Sequence, residues 1–137
     1  SNDAADRFVM LASSLDVPYT DFVPALAKLR ERMRSDPPSA QLPAYNALGV
    51  LLEYNAPVDY TAYAVRVADV EGIRRAALLT TLLRADRATE PEIGAQIAAS
   101  DIRDPYSAKP FSWDERAHAV VFTGLEDSEQ RVHAFLF

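Results

Sequence analysis

Apolar residues recur with a helical period over the first hundred positions and then change to strand alternation. Residues 3–15 put Phe8, Leu11, Ala12 and Leu15 on one face of a helix. Asp16-Val17-Pro18 breaks it, and Thr20 offers an N-cap for a second helix with Pro24 early in it. Phe22, Leu26, Leu29 and Met33 then form a stripe at i, i+4, i+7 and i+11. Ser35-Asp36-Pro37-Pro38-Ser39 is a stop and the best internal linker. A third helix, 42–54, turns Tyr45, Leu48, Leu51 and Leu52 inward and ends at Asn55-Ala56-Pro57. Asp59 caps a fourth over 60–70, Gly72 marks a break, and a fifth covers 73–84. Thr89-Glu90-Pro91-Glu92 carries a capping box with proline near the helix start, and a short helix runs from it to about Ala99.

Beyond Ser100 the pattern is of turns and strands. Asp104-Pro105-Tyr106-Ser107-Ala108-Lys109-Pro110 is a rigid turn. Phe111 and Trp113 alternate with Ser112 and project to one side, able to anchor a hairpin on the helices. Residues 117–123 and 131–137 are β-type runs around a polar loop, which predicts an antiparallel hairpin, with a third short strand at 111–113. The expected fold class is mainly α: a small bundle of four to six short helices with a C-terminal β-hairpin packed on it (α+β). Helices occupy about 3–100 and the turn and hairpin about 101–137 of a single domain.

Composition narrows the function classes. The 137 residues can bury roughly two thirds of their surface, enough for one core without disulfides or metal. Net charge is −6, with 14 basic against 20 acidic residues, which argues against nucleic acid. Lys28, Arg30, Arg32 and Arg34 read as a solvated helix face. The absence of cysteine excludes disulfides, thiol catalysis and Cys-ligated zinc. No apolar run approaches ~18 residues, so no membrane span is expected. Ser1-Asn2 resembles a protease scar, which fits a chain trimmed of a signal peptide or anchor. Arginine outnumbers lysine 12 to 2 and there are 23 alanines, a bacterial, GC-rich usage.

Catalytic constellations are sparse. Only His118 and His133 are available to a metal; a hairpin can bring them within a few rungs, but zinc needs three or four close ligands. They read as strand histidines, and no metal or cofactor is expected. Ser107 with His118 is a candidate nucleophile and base, against a turn-forming role for Ser107. Gly49, Gly72, Gly94 and Gly124 are isolated, so no phosphate-cradling loop is present. The carboxylate pairs Asp59 with Asp69 and Glu90 with Glu92 read as caps and solvated faces. Tyr45, Tyr54, Tyr60 and Tyr63 cluster on two successive helical segments. They are the candidate partner-binding residues, with a helix–helix seam as the plainer alternative.

Two resemblances bear on function. Ala44 to Leu52, followed by Asp59-Tyr60 and Ala62, is similar to the first helix and turn of a tetratricopeptide repeat, which would imply peptide binding. Only one unit is visible, with Pro57 in its turn, whereas a solenoid stacks several. The segment Asp104 to Trp113 resembles the Asp-Pro-aromatic-x-Gly-Lys-Pro-x-x-aromatic segment near the C-terminus of many uncharacterised exported bacterial proteins. A looser version occurs in major pseudopilins. Ala108 stands where that pattern has glycine, so the turn is not expected to demand a positive φ. The resemblance implies the cell envelope. The expected function is a non-catalytic protein-binding domain of a periplasmic or membrane-anchored bacterial protein. Its expected partner is another envelope protein or a peptide. The alternatives are a small hydrolase using carboxylates or Ser107/His118, and a homo-oligomeric structural domain, such as a homodimer paired through the Phe135-Leu136-Phe137 edge.

Overall fold

A computed structural model describes residues 9–10, 12–13, 16–35, 47–125 and 131–137, without side chains for 33–34 and 47–60. Tyr45, most of the 35–39 linker, and the first residues of the expected helices at 3–15 and 42–54 lie outside the described residues. Among the described residues there are three helices, α1 (Tyr19–Ser35), α2 (Ala47–Ala85) and α3 (Glu90–Ala99). Three strands come after them, β1 (Ser112–Asp114), β2 (Ala119–Thr123) and β3 (Val132–Leu136). The α+β class holds, and the expected third strand is present. The chain divides into two compact units, Ser1–Ala64 and Val65–Phe137. No described helix is long and apolar enough to cross a membrane.

In the first unit, α1 starts at Tyr19, just ahead of the expected Thr20 cap. Its predicted stripe is buried at Phe22, Leu26 and Leu29. Lys28, Arg30 and Arg32 are exposed.

The helices expected at 42–54, 60–70 and 73–84 are corrected to one, α2, of 39 residues. Asn55-Ala56-Pro57 does not end it, and Asp59 is interior rather than a cap. A proline deletes one i→i−4 bond and crowds the preceding turn, at about 3 kcal/mol. That local penalty is outweighed here by the continuous helix on both sides. Gly72 is not a break either. It is buried, and a Cβ built there would lie 2.0 Å from Phe122 Cζ. Glycine is needed because an aromatic ring takes the place of its side chain.

The core of the second unit joins Ala76, Leu79 and Leu83 of α2 to Ile93 and Ile97 of α3, and these to Phe111, Val120 and Phe122. Phe111 is buried and Trp113 packs against the cluster, so both anchor the sheet as the alternation predicts. The sheet is an antiparallel meander in the order β1-β2-β3. Ser112 pairs with Val121, Val121 with Ala134 and Phe122 with His133. Phe122 is the hub of the inner face, with Tyr106 at 6.1 Å, Phe111 at 6.3 Å and His133 at 6.1 Å between ring centroids.

The Asp-Pro turn is architectural. Asp104 Oδ1 accepts hydrogen bonds from the Tyr106 N–H at 3.0 Å, the Ser107 N–H at 2.8 Å and the Ser107 hydroxyl at 2.9 Å. The Asp104 carbonyl accepts the Ala108 N–H at 2.9 Å. The expectation for Ala108 is overturned: its φ is 55°, because the closing turn needs a left-handed residue whether or not glycine supplies it. A left-handed alanine costs roughly 1–2 kcal/mol. Part of that is offset by the looser unfolded chain that glycine creates. Ala108→Gly is therefore expected to raise stability by about 1 kcal/mol, read as a shifted urea midpoint with unchanged slope.

Candidate functional site

The most developed concave feature lies where the start of α3 meets the β1–β2 turn. It is a cavity of about 530 Å³ lined by Glu90, Pro91, Gly94, Trp113, Glu115 and His118. Each wall has a local cause. Helix α3 is held at its start by the predicted capping box. The Glu92 carboxylate accepts the Thr89 N–H at 3.1 Å and the Thr89 hydroxyl at 2.6 Å. These bonds hold its pKa below the ordinary carboxylate value, the hydroxyl contributing most. At the other end of α3, Arg103 donates to the Ile97 carbonyl at 3.2 Å and the Ala98 carbonyl at 3.1 Å, satisfying its last turn. Helix α3 is thus fixed at both ends and presents Glu90, Pro91 and Gly94 to the cavity.

The opposite wall is the turn after β1. Asp114 Oδ1 accepts the N–H groups of Arg116 at 2.9 Å and Ala117 at 3.1 Å. The turn closes through His118 at a φ of 48°. That backbone state aims the imidazole at α3, where Nδ1 lies 2.5 Å from Glu90 Oε1. Trp113 supplies the aromatic wall, its ring packed edge-to-face on Phe137 at 6.1 Å. Two carboxylates, an imidazole and an indole therefore share one open hollow. Carboxylates beside an aromatic ring favour a cationic group.

The residues singled out in the sequence fare differently. Tyr63 is 64% exposed on α2. Tyr54 and Tyr60 lie on α2, with side chains outside the described residues. Ser107 donates to Asp104, whereas His118 engages Glu90, so the two groups serve different partners. His118 and His133 are not brought together. Register places Phe122 opposite His133, four residues along β2 from His118, about 13 Å at 3.3 Å per residue. Among the described residues, no three His, Cys, Asp or Glu side chains group to hold a metal. Glu90 and Glu92 are not a working pair, since one faces His118 and the other caps its own helix.

Sequence reasoning misses a buried carboxylate. Asp69 is 4% exposed and accepts the Tyr106 hydroxyl at 2.6 Å and the Leu125 N–H at 2.9 Å. Its signal is an acidic residue on the apolar face of Val65, Ala68, Gly72 and Ala76. Gly124 is the matching signal, because a Cβ there would come within 2.5 Å of the Asp69 carboxylate. The cavity itself leaves no local signal, since Glu90 and His118 meet only through the tertiary fold. Comparison with protein families, with curated proteins and with solved structures finds no match for this chain.

Proposed function

We propose that this chain is a non-catalytic protein-binding domain whose cavity at α3 and the β1–β2 turn takes a basic side chain of a partner polypeptide. The observation that carries this reading is the grouping of Trp113, Glu90, Glu115 and His118 around one hollow of about 530 Å³. A lysine or arginine entering it gains both an aromatic wall and carboxylates. The net charge of −6 favours encounter with a basic segment. Exposed Tyr63 is consistent with the tyrosine cluster as a further contact surface. The resemblance of the Asp104 to Trp113 segment to exported proteins supports a setting in the cell envelope, with an envelope protein as partner.

The test is fluorescence polarisation with short labelled peptides that are lysine- and arginine-rich, uncharged or acidic. The basic peptides are expected to bind, more weakly as salt rises. Trp113→Ala is expected to weaken them by about tenfold. Glu115→Gln, at an exposed position, keeps the test decisive if the tryptophan variant is unstable. Equal binding of acidic peptides, affinity unchanged in both variants, or no binding at all overturns the reading.

A further inference from the structure

Helix α2 within the second unit is apolar on two opposite sides. One side carries the buried Ala68, Gly72, Ala76, Leu79 and Leu83. The other exposes Val67 (52%), Val70 (60%), Leu78 (42%) and Leu82 (45%). At about 100° per residue, these four span an arc of about 120° pointing away from the core, over a length of about 22 Å. A helix apolar on both sides is one that packs on both sides. At the middle of the exposed stripe sits Arg74, whose Nε and Nη2 donate to Glu71 at 2.7 and 2.9 Å. Glu71 also accepts from Arg75 at 2.7 Å.

We propose that this face is covered by the same face of a second copy, in an antiparallel helix pair with its two-fold axis beside Arg74. A two-fold contact requires a patch complementary to itself. The stripe on α2 meets that condition. Reversal about Arg74 sets Val70 against the partner's Leu78, and Val67 against the partner's Leu82. Smaller side chains then meet larger ones on both sides of the axis. The charges agree as well. The Glu71 of each copy comes opposite the Arg74 of the other, so four groups alternate in sign around the axis. A purely apolar partner would strip water from the Glu71–Arg74 pair and return nothing, at a net cost. A second copy returns opposite charge to each member of the pair. The sheet edge is a poorer site for the same partner. Phe135 and Phe137 pack on the core, and the Leu136 carbonyl at the open edge already accepts Arg84 Nη2 at 2.6 Å.

Sedimentation of the whole chain from micromolar to millimolar concentration tests this. The mass is expected to double as concentration rises. Glu71→Arg alone and Arg74→Glu alone place like charges across the axis and are expected to weaken association by about a hundredfold. Their equimolar mixture is expected to restore the dimer, because one copy then offers only cations at the axis and the other only anions. Leu78→Asp, at an exposed position, should abolish association and stands in if a charge variant fails to fold. A wild type that stays monomeric overturns the proposal, as does a dimer that the variants leave intact. A mixture of folded charge variants that remains monomeric overturns it too. In the first case the stripe is covered by another protein or by other residues of the chain.

Discussion

Gly72→Ala is expected to destabilise the protein by about 3 kcal/mol or more, the upper range for an overpacked core. Helix propensity alone predicts the reverse, a gain of about 1 kcal/mol from replacing a helical glycine by alanine. Sterics decide the sign. The new Cβ would lie 2.0 Å from Phe122 Cζ and 2.3 and 2.5 Å from its two Cε atoms. The tip of the ring therefore presses on the helix backbone. Phe122 is fully buried and hemmed in by Tyr106, Phe111 and His133, so it has no space to retreat. Equilibrium urea unfolding reads the effect. Phe122→Leu alone is also destabilising, because it empties part of the core. The double variant should cost clearly less than the sum of the two, since the shortened side chain makes room for the methyl group. Additive losses would show that the two residues do not share the contact. A stabilised Gly72→Ala would show that α2 and β2 do not approach this closely.

Gly72 also marks where sequence reading succeeds and fails. Features set by local rules are legible: the Phe22, Leu26 and Leu29 stripe, the Thr89–Glu92 box, the same-side placement of Phe111 and Trp113, and the strands. Periodicity and capping act within a few residues, and the chain states them directly. Gly72 and Pro57 mislead because each is a breaker in isolation. The helix that runs through both is sustained by its neighbours and, at Gly72, by a ring fifty positions away. Ala108 misleads because the demand for a positive φ comes from the geometry of turn closure, not from the residue that meets it. The candidate site is half legible. Trp113 and the acidic start of α3 are visible, but nothing local brings Glu115 and His118 to Glu90.

Asp69 is the position where loss of a single polar group should be felt most. Its carboxylate joins three segments distant in sequence: α2, the Asp-Pro turn through the Tyr106 hydroxyl, and the end of β2 through the Leu125 N–H. Asp69→Ala leaves both donors without that acceptor in a buried setting, and is expected to cost about 2–4 kcal/mol. Tyr106→Phe removes one donor and keeps the ring on Phe122, so its cost should be smaller, about 1 kcal/mol. The two effects should not add, because they act through one bond. Gly124→Ala supplies an independent check. Its Cβ would lie 2.5 Å from Asp69 Oδ2, so it should be harmful in the wild type and better tolerated beside Asp69→Ala. Hydrogen exchange should quicken first in the 104–110 turn and at the end of β2, where the bonds are lost. Peptide affinity in the folded fraction should be unchanged. Asp69 holds the Leu125 end of β2, whereas the Glu90–His118 contact that shapes the cavity holds the opposite end. An Asp69→Ala protein that kept its stability but lost peptide binding would reverse this division, and would make the buried carboxylate part of the recognition site rather than of its support.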